Sequence, residues 1–436
     1  MKNRLILIFS CNAIIIKLKN GKCFVNLKLI ANLRSKTLNP KLHLKKYFKY
    51  VAIAVVLILS SVLLRSITSK NEEGAAVEKT AIKVDPPILI ERYSDSETKK
   101  VSHKLDSLLQ RINKRNDFNG SLLVAKNGKI LYSNQIGYAD FNKKESLNET
   151  SVFQLASVSK QFTAAAIMLL YERNQLQLTD TVNKYFPNFP YKNVTIKNLL
   201  NHTAGLPKYF WVAEHKWKQE KAPTNKEMMS LLESSKVQGF FRPGRKFDYS
   251  NTNYFVLASI VEKISGIGFS DFMQKNIFDP LDMKDSYVYS FENDSIKANQ
   301  LDGYRLYRGW RHVKINSTVN DAIVGDKNVY ATSEDLYKWF LGLNSGKLLS
   351  KKSLDLMYTQ GETVSGRKIP YGFGFRIDTK HKNAIYHYGK WNGFSTGITK
   401  YTEGDLVVII LEHTSYNAIS ALNKTIKKMV IENFDA

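Results

Sequence analysis

Apolar residues along this chain repeat with two different spacings, which change from one segment to the next. Two runs rich in β-forming residues flank Asn127–Gly128, a pair that predicts a hairpin over residues 121–134. Close to the C-terminus, similar runs predict strands at 386–389, 393–401 and 406–411. The clearest strand signals therefore lie at the two ends of one long region.

Helical spacing of apolar residues separates these strand signals. It occurs at 102–114, at 162–175 and at 417–434, where the apolar residues lie on one side of the predicted helix. Residues 180–350 contain further helix-like stretches that Pro and Gly interrupt. This order predicts an α+β fold, in which an antiparallel sheet is flanked by helices and a helical subdomain lies between its strands.

The N-terminal region contains an uncharged apolar run of 15 residues, 50–64, that follows Lys45, Lys46 and Lys49. A membrane-spanning helix needs about 17–20 apolar residues. A transmembrane segment would therefore have to include Tyr47 and Phe48, with the Lys49 side chain between them and the run extending toward the interface. A signal peptide, with an apolar core of about 7–15 residues, also fits. Basic residues before the run and acidic residues after it predict an exported body, either membrane-anchored or periplasmic.

These features divide the chain into four parts. No Met occurs between Met1 and Met168, and one hypothesis is that the natural start is a non-Met codon near Leu44. The four parts are a basic leader (1–49), a transmembrane or signal segment (50–64), a polar linker (65–98) and a folded domain (99–436).

Charge and cysteine content narrow the possible functions. The net charge of the 436 residues is +25, but residues 1–65 hold 13 Lys and Arg and no acidic residue. A nucleic-acid-binding protein is expected to cluster its charge on the folded domain, so nucleic acid is not a predicted partner. Both cysteines, Cys11 and Cys23, lie in the leader, which excludes a disulfide framework and a thiol nucleophile in the body.

Familiar metal and phosphate motifs do not occur in the sequence, and we predict neither a metal nor an organic cofactor. The eight histidines are scattered along the chain. His202 and His215 lie 13 residues apart without a convergent pair of carboxylates, so we expect a structural or surface role for both.

The strongest chemical signal is a serine at the start of the apolar helix. Ser157 and Lys160 are three positions apart, so on a helix they share a face and the amine points toward the hydroxyl. A serine is a weak nucleophile until a neighbouring base takes its proton. A lysine held against an apolar helix loses hydration, which lowers its pKa and suits it to act as that base. The S-x-x-K pattern also occurs at Ser96 and Ser365, but neither begins an apolar helix.

Several co-linear motifs around this serine resemble the serine β-lactamase-like family. The resemblance is strongest to the branch that holds class C β-lactamases, D-alanyl-D-alanine carboxypeptidases and esterases, and it implies the β-lactamase/transpeptidase-like fold over roughly residues 100–434. The matching motifs lie at Phe153–Lys160, Leu199–Pro207, Pro243–Asn251, Ser265–Gly266, Pro280–Met283 and Val329–Leu336.

The resemblance also implies roles for individual residues. Ser157 matches the acylated nucleophile, and Lys160 and Tyr249 match its proton-transfer partners. Asn251 matches the residue that holds a substrate amide carbonyl.

A third family motif matches the segment around His387 on an edge strand of the sheet. His387 and Gly389 would contact the substrate there, and the backbone N–H groups of Ser157 and Lys390 would form the oxyanion hole. His387 replaces the lysine of true β-lactamases and is mostly neutral near pH 7, which weakens the positive charge available to a carboxylate. Strand alternation is expected to point Tyr388 away from the cleft.

The predicted function is hydrolysis of an ester or amide through an acyl-enzyme on Ser157. Cell-wall D-amino-acid peptides, short-chain esters and β-lactams are all open as substrates. Two alternatives are a penicillin-binding or sensor module that acylates without turnover and a true β-lactamase. The predicted partners are a small-molecule or peptide substrate and, through the segment at 50–64, the membrane; the sequence does not specify an oligomeric state.

Overall fold

The computed structural model describes residues 88–116, 118–290, 297–380 and 383–434, together with three short strands in the leader. The chain divides into two compact units, Met1–Val84 and Asp85–Ala436. The first contains a three-stranded antiparallel sheet made of Ile6–Ser10, Ala13–Leu18 and Gly21–Cys23.

The proposed membrane or signal segment at 50–64 and the proposed start near Leu44 lie outside the described residues. Within the part of the chain that the structure describes, no helix has the length and apolarity needed to cross a bilayer.

The second unit is organised around a seven-stranded sheet whose strands come from both ends of this unit. All neighbouring strands are antiparallel except at one edge, where Glu91–Arg92 runs parallel to Lys129–Ile130. The sheet is therefore mixed, whereas an antiparallel sheet was expected, because this short strand precedes the predicted hairpin and pairs with its second arm. The spatial order is Arg376–Ile377, Ala384–Trp391, Phe394–Tyr401, Leu406–Glu412, Gly120–Lys126, Lys129–Ile136 and Glu91–Arg92.

Two hydrophobic cores lie on opposite faces of this sheet because strand side chains alternate. Leu123 and Ala125 belong to the larger core, which also contains the apolar helix after Ser157. Leu122 and Val124 belong to the smaller core, against which the first and last helices of the unit pack.

The first of those helices, Asp95–Asn116, begins inside the segment that the sequence assigned to a linker. Strand Glu91–Arg92 lies there as well, so the second unit has secondary structure ahead of residue 99. The first turn of helix Asp95–Asn116 is acidic and its last turn is basic, which suits the helix dipole. The apolar residues of this helix, including Leu105 and Leu109, face the smaller core, to which helix Ile419–Phe434 also contributes.

The remaining helices lie, in sequence order, between the strands of the central sheet, as the sequence pattern predicts. The apolar helix is Ser159–Glu172, and we refer to it as the serine helix. The others are Val182–Tyr185, Ile196–Leu200, Tyr209–Lys216, Asn225–Ser234, Asn251–Ser265, Phe269–Met273, Ser333–Asn344 and Lys351–Tyr358, with a π-helical turn at Gln274–Phe278 and a 3₁₀ turn at Glu403–Asp405.

Smaller sheets complete the second unit. One of them joins Phe153–Gln154 to Val329–Ala331, so it brings the segment before Ser157 next to residues 326–328. Its third strand is Tyr287–Val288; the other small sheets pair Tyr138–Asp140 with Glu145–Ser146 and Tyr304–Tyr307 with Arg311–Lys314.

Candidate active site

Ser157 lies in a tight 3₁₀ turn, Ala156–Val158, that leads directly into the serine helix. The preceding residue, Ala156, has a φ of +48°, a left-handed conformation that costs energy for a residue with a Cβ. Ser157 is half-buried, whereas its neighbours Ala156 and Val158 are fully buried. The turn therefore presents the serine hydroxyl at the edge of an otherwise closed core.

Lys160 is completely buried one turn later, and its amine reaches back to the serine. Its Nζ donates to Ser157 Oγ at 3.1 Å and to the backbone carbonyl of Asp326 at 2.7 Å. Burial lowers the pKa of Lys160 to about 7; the Asp326 carboxylate opposes this shift and the Arg376 charge adds to it. Near neutral pH a large fraction of this lysine is therefore unprotonated and able to accept a proton.

Tyr249 faces the same amine from the loop before helix Asn251–Ser265. The Lys160 Nζ lies 5.1 Å from the Tyr249 ring centroid. Burial raises the pKa of Tyr249, while the nearby Ser157 hydroxyl and the Arg376 charge act in the opposite direction. Among the described residues, the buried Tyr249 hydroxyl completes no hydrogen bond of good geometry.

Asn251 is the first residue of its helix, and the N-cap position is taken by Ser250. Within the described structure, the buried Oδ1 of Asn251 has no hydrogen-bond partner. A half-buried amide with an unsatisfied oxygen next to Tyr249 has the chemistry to bind a polar group of a ligand.

His387 does not have the position that a substrate contact requires. Its ring is fully buried, with Nδ1 2.9 Å from the Tyr388 carbonyl and Nε2 3.0 Å from the Tyr371 hydroxyl. A neutral ring that donates from Nδ1 and accepts at Nε2 satisfies both contacts. Burial, followed by the charges of Lys160 and Arg376, holds the pKa of His387 well below its usual value. His387 is therefore a neutral core residue that supports the strand.

Gly389 lies directly against the serine turn. A Cβ at this position would lie 2.5 Å from the Leu155 carbonyl oxygen and 2.8 Å from the Ser157 backbone nitrogen. The missing side chain thus allows the strand to pack directly against the serine turn. This approach brings the strand segment that carries the Lys390 N–H beside the Ser157 N–H; the Lys390 side chain itself is exposed and contacts Asn417.

Tyr388 points away from this site, as strand alternation predicts. It packs with Tyr386 against the smaller core, with the two ring centroids 5.1 Å apart. His387, one residue earlier, faces Tyr249 at a ring-centroid distance of 6.1 Å.

Sequence reasoning did not identify Arg376, which lies on the edge strand beside Ala384–Trp391. Its guanidinium carbon lies 5.0 Å from the Tyr249 ring centroid. A cation over the face of an aromatic ring is a favourable arrangement. In the sequence, Arg376 is a single arginine outside the family motifs, so only the register of the edge strand reveals it.

His202 is structural and buried, which agrees with one of the two roles expected for it. Its Nδ1 accepts from the Ser250 N–H at 3.2 Å, and its carbonyl accepts from the Asp248 N–H at 2.9 Å. Its ring centroid is 4.3 Å from that of Tyr249, so His202 shapes the loop that holds the tyrosine. His215 is exposed and stacks on Trp211.

The site has the features of acyl transfer to a serine hydroxyl. It combines a half-exposed nucleophile, a buried amine able to accept its proton, a tyrosine hydroxyl and a cation. Across the described ranges, no three His, Cys, Asp or Glu side chains converge in a way that would hold a metal ion.

Comparison with known proteins identifies the family of this chain. A family model described as Beta-lactamase matches residues 105–427. Penicillin-binding protein 4* of Bacillus subtilis is 33% identical over 323 residues, which cover 71% of this chain and 71% of that protein. Teichoic acid D-alanine hydrolase of Staphylococcus aureus is 27% identical over 308 residues, 70% of this chain and 72% of that protein.

A solved penicillin-binding protein structure from Bacillus halodurans aligns with a TM-score of 0.63 at 25% identity and covers 73% of this chain and 98% of that structure. The range matched by the family model, 105–427, contains Ser157, Lys160 and Tyr249, the residues that the fold brings together. The chain therefore belongs to the beta-lactamase family of serine hydrolases, which it shares with penicillin-binding proteins.

Proposed function

We propose that this protein is an exported hydrolase that removes a D-amino-acyl group from an ester or amide through a covalent intermediate on Ser157. The observation that carries the proposal is the hydrogen bond from the buried Lys160 amine to Ser157 Oγ, at 3.1 Å. A lysine with a pKa of about 7 can take the serine proton at neutral pH, which is what nucleophilic attack requires.

In the first half of the reaction, Ser157 Oγ forms a bond to the substrate carbonyl carbon as its proton passes to Lys160. The N–H groups of Ser157 and Lys390 stabilise the oxyanion. The bond to the leaving group then breaks, and the leaving atom takes the proton from Lys160 by way of the Tyr249 hydroxyl. In the second half, water attacks the acyl-enzyme, and its proton follows the reverse route to Ser157.

Two further groups would orient the substrate. The Asn251 amide would bind the carbonyl of the acyl group, and Arg376 would bind an anionic group. The position of Arg376 supports this role because it contributes positive charge beside Tyr249, whereas His387 is neutral and fully buried. The name of the staphylococcal relative, a teichoic acid D-alanine hydrolase, supports a D-alanyl ester as the first natural substrate class to test.

The test compares the full-length protein with its Ser157→Ala variant. Hydrolysis of p-nitrophenyl acetate and of a D-alanyl ester is followed, and intact mass is measured after addition of a fluorophosphonate or, separately, a penicillin. We expect turnover and a single fluorophosphonate adduct, both abolished in Ser157→Ala. A lasting adduct without turnover would favour the sensor alternative, and the absence of both would contradict the assignment of the nucleophile.

A further inference from the structure

The backbone carbonyl that accepts from Lys160 belongs to Asp326, whose side chain is part of a buried charged cluster. We propose that Asp326, Lys327 and Tyr209 are positioning residues, which fix this carbonyl against the Lys160 amine and balance its charge inside the core. The proposal rests on the acyl-transfer function proposed above, because it assigns these residues to the proton acceptor of that reaction.

The cluster is closed and fully buried. The Tyr209 hydroxyl donates to Asp326 Oδ2 at 3.0 Å and accepts from Lys327 Nζ at 2.7 Å. Lys327 Nζ also donates to Asp326 Oδ1 at 3.3 Å and to the Ile323 carbonyl at 3.2 Å. The side chains of Lys327 and Asp326 are 2% and 0% exposed.

Aromatic rings enclose the cation on its other sides. Lys327 Nζ lies 5.4 Å from the ring centroids of Tyr209 and Phe210 and 5.3 Å from that of Trp391. Trp391 ends the strand that carries His387 and Gly389, and its indole N–H donates to Asp321. The cluster therefore connects the segment at 321–328 to the strand beside the serine turn.

A buried ion pair of this kind is an expensive way to anchor a loop, since apolar residues of similar volume often stabilise a protein as well or better. Its position suggests another use. Asp326 contacts Lys160 through its carbonyl while its carboxylate contacts Lys327, so one residue links the two buried lysines. A change of charge in the cluster must therefore be felt at the catalytic amine.

The charges around Lys160 determine whether a substitution in the cluster raises or lowers the pKa of this lysine. Asp326 raises the pKa of Lys160, and Arg376 lowers it. Burial lowers the pKa of Lys327, the Asp326 and Asp321 carboxylates oppose this shift, and the Lys160 charge adds to it, so the two amines repel each other. Burial favours the neutral form of both nearby histidines. Among the described residues, the titratable and charged groups that face Lys160 are Ser157, His202, Tyr249, Tyr254, Asp326, Lys327, Arg376 and His387.

Two single variants should consequently shift the enzyme in opposite directions. Asp326→Asn removes a negative charge, so Lys160 loses its proton more easily. The acid limb of the pH–rate profile for acylation therefore moves to lower pH. Lys327→Met removes a positive charge, and the limb moves to higher pH. A charge in direct reach shifts a pKa by about one unit, so the acylation rate at pH 6 should rise several-fold in Asp326→Asn and fall in Lys327→Met.

The experiment measures the rate of fluorophosphonate labelling of the full-length protein from pH 5 to 9. Intact mass follows the phosphonyl adduct that forms on Ser157 as fluoride leaves. The double variant Asp326→Asn/Lys327→Met replaces the ion pair with a neutral pair and should return the limb close to its wild-type position. Lys284→Met changes an exposed lysine and should leave the profile unchanged.

Tyr209→Phe serves if the single charge variants do not fold. It removes the hydroxyl that donates to Asp326 and leaves both charges, so the carboxylate acts more strongly on Lys160. The acid limb should therefore move to higher pH, but by less than in Lys327→Met. A purely structural cluster would lower the labelling rate equally at every pH, and that result would overturn the proposal. Absence of labelling in the wild-type protein would instead refute the proposed function.

Discussion

Arg376 and Tyr249 stack in the candidate active site, with the guanidinium carbon 5.0 Å from the ring centroid. The arginine reaches the site from the edge strand, where it pairs with Tyr386. His387, in the next strand of the sheet, is neutral and buried. The positive charge beside the nucleophile is thus supplied by a different strand.

Arg376→Gln should weaken the binding of substrates that carry a carboxylate. We expect KM to rise about 10- to 100-fold for a D-alanyl-D-alanine peptide, which is the usual size of a lost charged hydrogen bond, and to change little for p-nitrophenyl acetate. Because Arg376 lowers the pKa of Lys160, the acid limb should also move to higher pH for both substrates. Steady-state kinetics with the two substrates measure this.

Arg308→Gln is the matched control, since Arg308 is exposed in the turn between two short strands. It should leave both substrates unaffected. Equal losses for the charged and the neutral substrate in Arg376→Gln would show that the arginine does not bind the anionic group.

Lys160→Met should lose acylation and gain stability near neutral pH. The pKa of Lys160 is about 7 when folded, against an ordinary value of 10.5, so between these pH values the unfolded chain holds a proton that the folded chain lacks. The wild-type free energy of unfolding therefore rises with pH over this window relative to Lys160→Met, by up to a few kcal/mol. The advantage of the variant should be largest at pH 7 and below and should shrink toward pH 10.

Chemical denaturation at pH 6, 7, 8.5 and 10 tests this, alongside fluorophosphonate labelling, which should fall by about a hundredfold or more. Lys184→Met, at a lysine paired with Asp180 on the surface, should show no comparable dependence in this window. A constant difference between wild type and Lys160→Met across the pH range would contradict a depressed lysine pKa.

Much of this architecture follows from local sequence patterns. The predicted hairpin is confirmed, since strands Gly120–Lys126 and Lys129–Ile136 pair across Asn127–Gly128. Both turn residues adopt positive φ, 48° and 79°, which few other residue pairs adopt readily. The serine helix and the closing helix are also confirmed, since strong apolar periodicity specifies a buried face. The parallel edge strand Glu91–Arg92 could not be predicted, because it is two residues long and depends on a partner distant in sequence.

The candidate site divides in the same way. Ser157 and Lys160 are close together in sequence, so helical geometry alone brings them together. Arg376 and Asp326 approach Lys160 only through strand pairing over long sequence separations, and no local pattern encodes that. For His387 the motif was recognised, but its orientation depends on Tyr371, whose position comes from tertiary packing.

Gly389→Ala should disrupt the serine turn. The added Cβ would lie 2.5 Å from the Leu155 carbonyl oxygen, a backbone atom that cannot move without displacing Ser157. We expect loss of fluorophosphonate labelling by about a hundredfold and a fall in Tm of several degrees, as for a strained core substitution of about 1–3 kcal/mol. Differential scanning fluorimetry and labelling measure the two effects.

Gly268→Ala is the control for an added methyl group. Gly268 has a φ of −59°, which alanine adopts readily, and a Cβ there would come no closer than 3.8 Å to another atom. This variant should keep wild-type activity and equal or slightly higher stability. Wild-type labelling by Gly389→Ala would mean that the strand and the serine turn do not pack as closely as described.

Tyr249→Phe and Tyr254→Phe should separate catalysis from stability, because both rings lie near the Lys160 amine but the two hydroxyls are used differently. Tyr254 donates to the Leu200 carbonyl at 2.8 Å. Within the described structure, the Tyr249 hydroxyl has no well-formed hydrogen bond, so it contributes little to folding and remains available for proton transfer. We expect Tyr249→Phe to lower turnover of p-nitrophenyl acetate about a hundredfold or more while stability stays equal or rises, and Tyr254→Phe to cost about 1 kcal/mol of stability with turnover nearly unchanged. Urea denaturation and ester hydrolysis on the same preparations decide the matter: equal turnover in the two variants would remove Tyr249 from the proton-transfer path.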